Sequence, residues 1–91
     1  MMAKKIAVLV RDRQAEALRM AVGLTLKNDE VTVFVMDRKL DDRDESVGLN
    51  VETCNGLDIK TYSNNPEINF EQMSTEDIAR ALVNYDSVIP Y

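Results

Sequence analysis

Two short apolar runs that barely alternate, Ile6-Ala7-Val8-Leu9-Val10 and Val31-Thr32-Val33-Phe34-Val35-Met36, flank a stretch of helical period. A strand with one face in water alternates apolar and polar residues, whereas a strand covered on both faces reads as a near-continuous apolar run. These runs therefore suit a parallel sheet with helices on both sides. Between them, Gln14 to Lys27 sets Ala17, Leu18, Ala21, Val22 and Leu24 in a broad apolar stripe. Asp12 is placed to cap that helix and Asn28-Asp29 to close it. Gly23 lies inside it at a cost of ~1 kcal/mol relative to alanine, which predicts a close helix–sheet contact there. Strand, helix and strand in this order form a βαβ unit, whose crossover is almost always right-handed.

Asp37 to Ser46, DRKLDDRDES, reads as a solvated loop or the start of a helix. The next segment has two readings. Val47, Leu49, Val51 and Thr53 alternate like a strand, and Asn55-Gly56 is a hairpin turn signal. That two-residue turn would pair Cys54 with Leu57, Thr53 with Asp58 and Val51 with Lys60, setting an apolar face against a charged one. As a helix, Val47, Val51 and Cys54 fall at i, i+4 and i+7, with Asn55-Gly56 as a left-handed stop and Leu57 packing back. The register favours the helix. Leu57 to Tyr62 is then the third strand, and Ser63-Asn64-Asn65-Pro66 a loop. Ser74 caps a last helix with Asp77 in the capping-box position, and Ile78, Ala81, Leu82 and Tyr85 line its buried side. Ser87 to Tyr91 is the final strand, with Pro90 suited to an end or an edge. The expected architecture is one three-layer α/β/α domain over residues 1–91, with a mostly parallel four-stranded sheet in βαβαβαβ order.

The chain has 91 residues, enough for one modest core and no second one. Its 45% hydrophobic and 30% charged residues suit a globular rather than a disordered chain. A net charge of −5 argues against a nucleic-acid or anionic-membrane surface. No apolar run is long enough to cross a bilayer, and MMAKK has no hydrophobic region or cleavage site behind it, so no membrane span or secretory signal is expected. A single cysteine allows neither an internal disulfide nor a zinc spacing, which fits a cytoplasmic location.

That cysteine, Cys54, is the first candidate for chemistry. The helical reading puts it in a last turn, where the macrodipole disfavours a thiolate, and the chain has no histidine to pair with it. Packing explains it better than catalysis. Arg11-Asp12-Arg13 follows the first strand and precedes a helix N-terminus, the place where parallel sheets bind ligands and where two arginines could meet a phosphate or carboxylate. The loop has no glycine and so lacks the dinucleotide and phosphate-loop patterns; exposed arginines beside a capping aspartate are the simpler account. Asn64 and Asn65 fall on the same rim and could hydrogen-bond a ligand or partner chain, although asparagine before proline is also a plain turn signal. Asp41, Asp42, Asp44 and Glu45 lack calcium-loop spacing and read as a solvated face, so no metal is expected. Glu67, Glu71, Glu76 and Asp77 show no acid–base pairing.

KIAVLVRDRQAEALRMAVGLTLKNDEVTVFVMD, residues 5–37, together with Met73-Ser74 leading into EDIARALVNYDSVIPY, resembles the DsrE/DsrF-like family. The resemblance implies a flavodoxin-like sandwich that assembles into trimers or hexamers, with itself or with related subunits. Its sulfur-relaying members carry a persulfide on a cysteine in the loop after the third strand. Here that loop reads TYSNNPE, the motif cysteine has no counterpart, and Cys54 lies before the strand. Three functional expectations follow. The first is a non-catalytic, cofactor-free binding domain with Arg11, Asp12, Arg13, Asn64 and Asn65 at its rim, accessory to sulfur metabolism. The second is a sulfurtransferase subunit carrying persulfide on Cys54. The third is a phosphate- or nucleotide-binding domain.

Overall fold

β1 (Lys5–Val10) is an interior strand of a parallel sheet, paired with β2 (Glu30–Val35) on one side and β5 (Ser87–Pro90) on the other. The structure is a computed structural model, and it describes residues 4–26, 29–37, 39–41, 43–68 and 70–91. Beyond β2 lie β3 (Lys60–Ser63) and the two-residue β4 (Glu71–Gln72), giving the order β4-β3-β2-β1-β5 with every pairing parallel.

The central strands are covered on both faces, as their missing alternation requires. Ile6, Val8, Val10, Val31, Val33 and Val35 share a cluster with Ala17, Leu18 and Ala21 of α1 (Gln14–Leu26) and with Val47 and Cys54 of α2 (Glu45–Gly56). On the other face Ala7, Phe34 and Met36 meet Ile78 of α3 (Thr75–Leu82). Phe34 stacks on Tyr62 at 5.6 Å and meets Tyr85 edge-on at 5.9 Å, the offset and T-shaped arrangements aromatic rings prefer. The three layers are thus α1 and α2, the sheet, and α3. From β1 to β3 the chain advances one way with its helices on one face. It then returns past β1 with α3 on the opposite face, and reversing both direction and face keeps the hand of the crossover.

Several expectations are corrected. Among the described residues the sheet has five strands and the element order is β1α1β2α2β3β4α3β5; the extra strand, β4, is two exposed polar residues with no periodicity to read. A flavodoxin-like order would seat β1 between β2 and β3; here β1 lies between β2 and β5. Gly23 marks no close approach, since a Cβ built on it meets nothing within 4 Å. The position before α1 is Arg13 rather than Asp12, and its carbonyl accepts the Ala17 N–H at 2.9 Å. The expected end of this helix at Lys27 and Asn28 lies outside the described residues. Tyr91 follows β5 instead of ending it, although its N–H still reaches the Leu9 carbonyl at 3.0 Å.

The end of α2 is the most informative correction. Gly56 stays helical without a positive φ, and the left-handed residue is Asp58 at φ 57°. Asp58 donates its N–H to the Asn55 carbonyl and Ile59 to the Cys54 carbonyl, at 3.2 and 3.1 Å, which is the two-bond Schellman closure. A stop at Gly56 would set Leu57 against Glu52 in the hydrophobic contact of that motif. Two residues later, the contact is Ile59 against Cys54, both buried in one cluster. Hydrophobic closure therefore overrides the Asn-Gly signal, and β3 starts at Lys60 rather than Leu57.

Candidate functional site

Adjacent parallel strands end side by side, so the residues that follow β1, β2 and β3 share one rim. There Arg11, Asp37 and Asn64 come together. Asp37 has a left-handed backbone, φ 68°, which a non-glycine residue holds only when its surroundings fix it. Asn64 supplies that restraint from both sides. Its Oδ1 accepts the Asp37 N–H at 2.7 Å, and its Nδ2 donates to Asp37 Oδ1 at 3.0 Å and to Thr75 Oγ1 at 2.9 Å. One asparagine thus ties the end of β2 to the start of α3. Arg11 Nε lies 3.8 Å from Asp37 Oδ2, and Arg13 Nη1 lies 3.9 Å from Glu16 Oε2. Both pairs are well exposed, and such pairs contribute only about 0–1 kcal/mol, so the guanidinium groups can re-pair at little cost.

The β1–β5 junction, where the chain order reverses, is occupied by backbone. Asp12 and Arg13 donate their N–H groups to the Tyr91 carbonyl at 3.3 and 3.4 Å. The backbone N–H groups of Asp12 and Arg13 are thus already engaged, and the loop presents the Arg11 and Arg13 side chains to solvent. Asn65 is committed to its own turn: its N–H donates to Ser63 Oγ, its Oδ1 accepts the Glu67 N–H, and its carbonyl accepts from Gln72 Nε2. Ser63 is fully buried and in turn donates to the Val35 carbonyl at 2.9 Å. Of the rim residues expected from sequence, Arg11 and Asn64 meet through Asp37, while Arg13 pairs along α1 and Asn65 shapes its loop.

Two residues that matter here escaped the sequence reading. Asp37 reads as part of a charged loop, and nothing in its neighbours announces a left-handed backbone. Gln14, at the first helical position, looks like a solvated polar residue. It is buried instead, donating from Nε2 to the Lys39 and Arg11 carbonyls at 2.8 and 3.3 Å and accepting the Asp41 N–H on Oε1 at 2.7 Å. It fastens residues 39–41 to the start of α1.

Cys54 sits away from this rim. α2 runs against the strands, so its last turn lies over the end of the sheet where β3 begins, and the rim lies at the other end. Cys54 is 1% exposed, and burial pushes its pKa up, the reverse of what a nucleophilic thiolate requires. In the acidic loop, Asp44 caps α2 by accepting the Ser46 N–H and Asp41 Oδ1 accepts the Arg43 N–H. Asp42 lies outside the described residues.

Among the described residues, surface depressions run along α1, α2 and the ends and edges of the sheet, lined by residues other than Arg11, Asp37, Asn64 and Asn65. No helix among the described residues is long and apolar enough to cross a membrane. Comparison with protein-family models, with curated proteins and with solved structures finds no match to this chain.

Proposed function

We propose that this chain is a non-catalytic, DsrE-like binding domain, cytoplasmic and self-associating, that receives an anionic group of a small ligand or partner chain at the C-terminal rim of its sheet. Arg11 carries the reading: it stands at the end of β1, half exposed, beside the reversal of chain order. Parallel sheets bind ligands at that position. Arg11 and Arg13 are the contact groups, and Asn64 and Asn65 hold the rim in shape. An incoming carboxylate or phosphate replaces Asp37 as the partner of Arg11, a charge-assisted exchange that leaves the Asn64 bracket in place. Self-association fits the edge strand β5, where Val88 is 39% exposed.

Burial of Cys54 counts against the persulfide-carrier alternative, since transfer needs an accessible sulfur. The test is titration with sulfate and phosphate, followed by amide shifts. The reading expects shifts confined to residues 11–14, 37 and 64, which vanish in the double variant Arg11→Ala, Arg13→Ala. Shifts that survive both substitutions would remove the rim from consideration.

A further inference from the structure

A separate depression lies between α2 and the connection from β3 to β4. An open cleft of about 360 Å³ is floored by Leu40, Val51, Ile68 and Phe70, all of which pack on or within the main core cluster. Its mouth carries one charge of each sign: Lys39 Nζ and Glu67 Oε2 are 2.9 Å apart. Each of these residues is anchored through its backbone. The Lys39 carbonyl accepts from buried Gln14, and the Glu67 N–H donates to Asn65 Oδ1. The charged heads are exposed while their attachment points are fixed.

We propose that this cleft binds a small apolar zwitterion, a free α-amino acid with a branched aliphatic or aromatic side chain. The apolar side chain lies on Leu40, Val51, Ile68 and Phe70. The ligand carboxylate takes Lys39 and its ammonium takes Glu67, so the existing ion pair opens into two. An exposed pair is weakly held, so opening it costs little, while the two new pairs form beside an apolar floor that takes up the ligand side chain. A ligand with a single charge pairs with one of the two residues and leaves the other without its partner. That asymmetry selects for a zwitterion. The site shares no residue with the Arg11 cluster and does not depend on the function proposed for it.

The experiment is a titration of the intact protein with L-leucine and L-phenylalanine, read by methyl and amide shifts. 4-Methylpentanoate, 3-methylbutylamine and glycine serve as comparison ligands lacking the ammonium, the carboxylate and the side chain. Leucine or phenylalanine is expected to shift Lys39, Val51, Ile68 and Phe70, with half-saturation at least about tenfold below that of each comparison ligand. Lys39→Met and Glu67→Gln, both at exposed positions that leave the fold intact, each weaken binding about tenfold or more, and Arg11→Ala does not. No shifts at these residues, or equal binding of 4-methylpentanoate and leucine, would overturn the proposal.

Discussion

Ile59 donates its backbone N–H to the carbonyl of Cys54, and the two side chains are buried together at the end of α2. This relation fixes where the helix stops, which residue takes the left-handed conformation and what the cysteine is for. Cys54 is the apolar partner in a helix closure. Its size and its sulfur suit packing, and its place in the last turn sets the thiol at the negative end of the helix dipole.

The register of that closure is testable with two substitutions. Gly56 lies in helical conformation with open space where a Cβ would go. Gly56→Ala should therefore stabilise the protein by about 0.5–1 kcal/mol, the usual gain at a helical glycine. Asp58 holds φ 57°, so Asp58→Gly should also stabilise, by about 0.5–1 kcal/mol. Urea midpoints measure both. A closure at Asn55-Gly56 gives the opposite sign for Gly56→Ala.

Replacing the sulfur probes the packing. Cys54→Ala should cost about 1 kcal/mol, and Cys54→Ser about 1–3 kcal/mol, because it buries a hydroxyl among apolar groups. The thiol also links stability to pH. Burial raises its pKa above the ordinary 9.0, so as pH rises past 9.0 the unfolded chain loses a proton that the folded chain keeps. Stability contributed by the protonated thiol is complete below that pH and is lost above it. The urea midpoint of the wild type should fall more steeply across this range than that of Cys54→Ala.

Gln14 gives a third prediction. Gln14→Leu removes the side-chain partners of the Lys39 carbonyl and the Asp41 N–H. The cost should be about 1–3 kcal/mol, with amide exchange speeding up at residues 39–41 before it does elsewhere. A surface glutamine would give a change within about 0.5 kcal/mol.

The same residues show what could be read from the chain and what could not. The absence of alternation in β1 and β2 is a long-range statement in disguise: it says that both faces are covered, and the three-layer arrangement follows. Ser74 was legible because a cap acts over three residues, and its side chain does accept the Asp77 N–H at 3.2 Å. β4 was not, since two polar residues carry no period. The end of α2 was misplaced because the local Asn-Gly preference competes with a contact between Cys54 and Ile59 that only the folded helix makes. At the rim, Arg11 and Asn64 could be placed by counting strand ends. Asp37 could not, because its left-handed backbone is imposed from 27 residues away by the side chain of Asn64.

That restraint yields a fourth prediction. Asn64→Ala removes three hydrogen bonds and leaves Asp37 in a strained backbone without its support. The loss should be about 1–2 kcal/mol, and adding Asp37→Gly should recover part of it, since glycine adopts a positive φ without penalty. A double-mutant cycle on thermal midpoints measures the coupling. Strict additivity would mean that Asn64 does not hold Asp37.

The proposal of a non-catalytic binding domain requires that Cys54 do no thiol chemistry. The rate of Cys54 alkylation in the native protein across pH, followed by intact mass after exposure to a persulfide donor, tests it most directly. The account predicts slow modification that keeps pace with unfolding, and no added sulfur. Fast modification of the folded protein with a depressed thiol pKa, and one sulfur retained, would contradict it and make Cys54 a sulfur carrier.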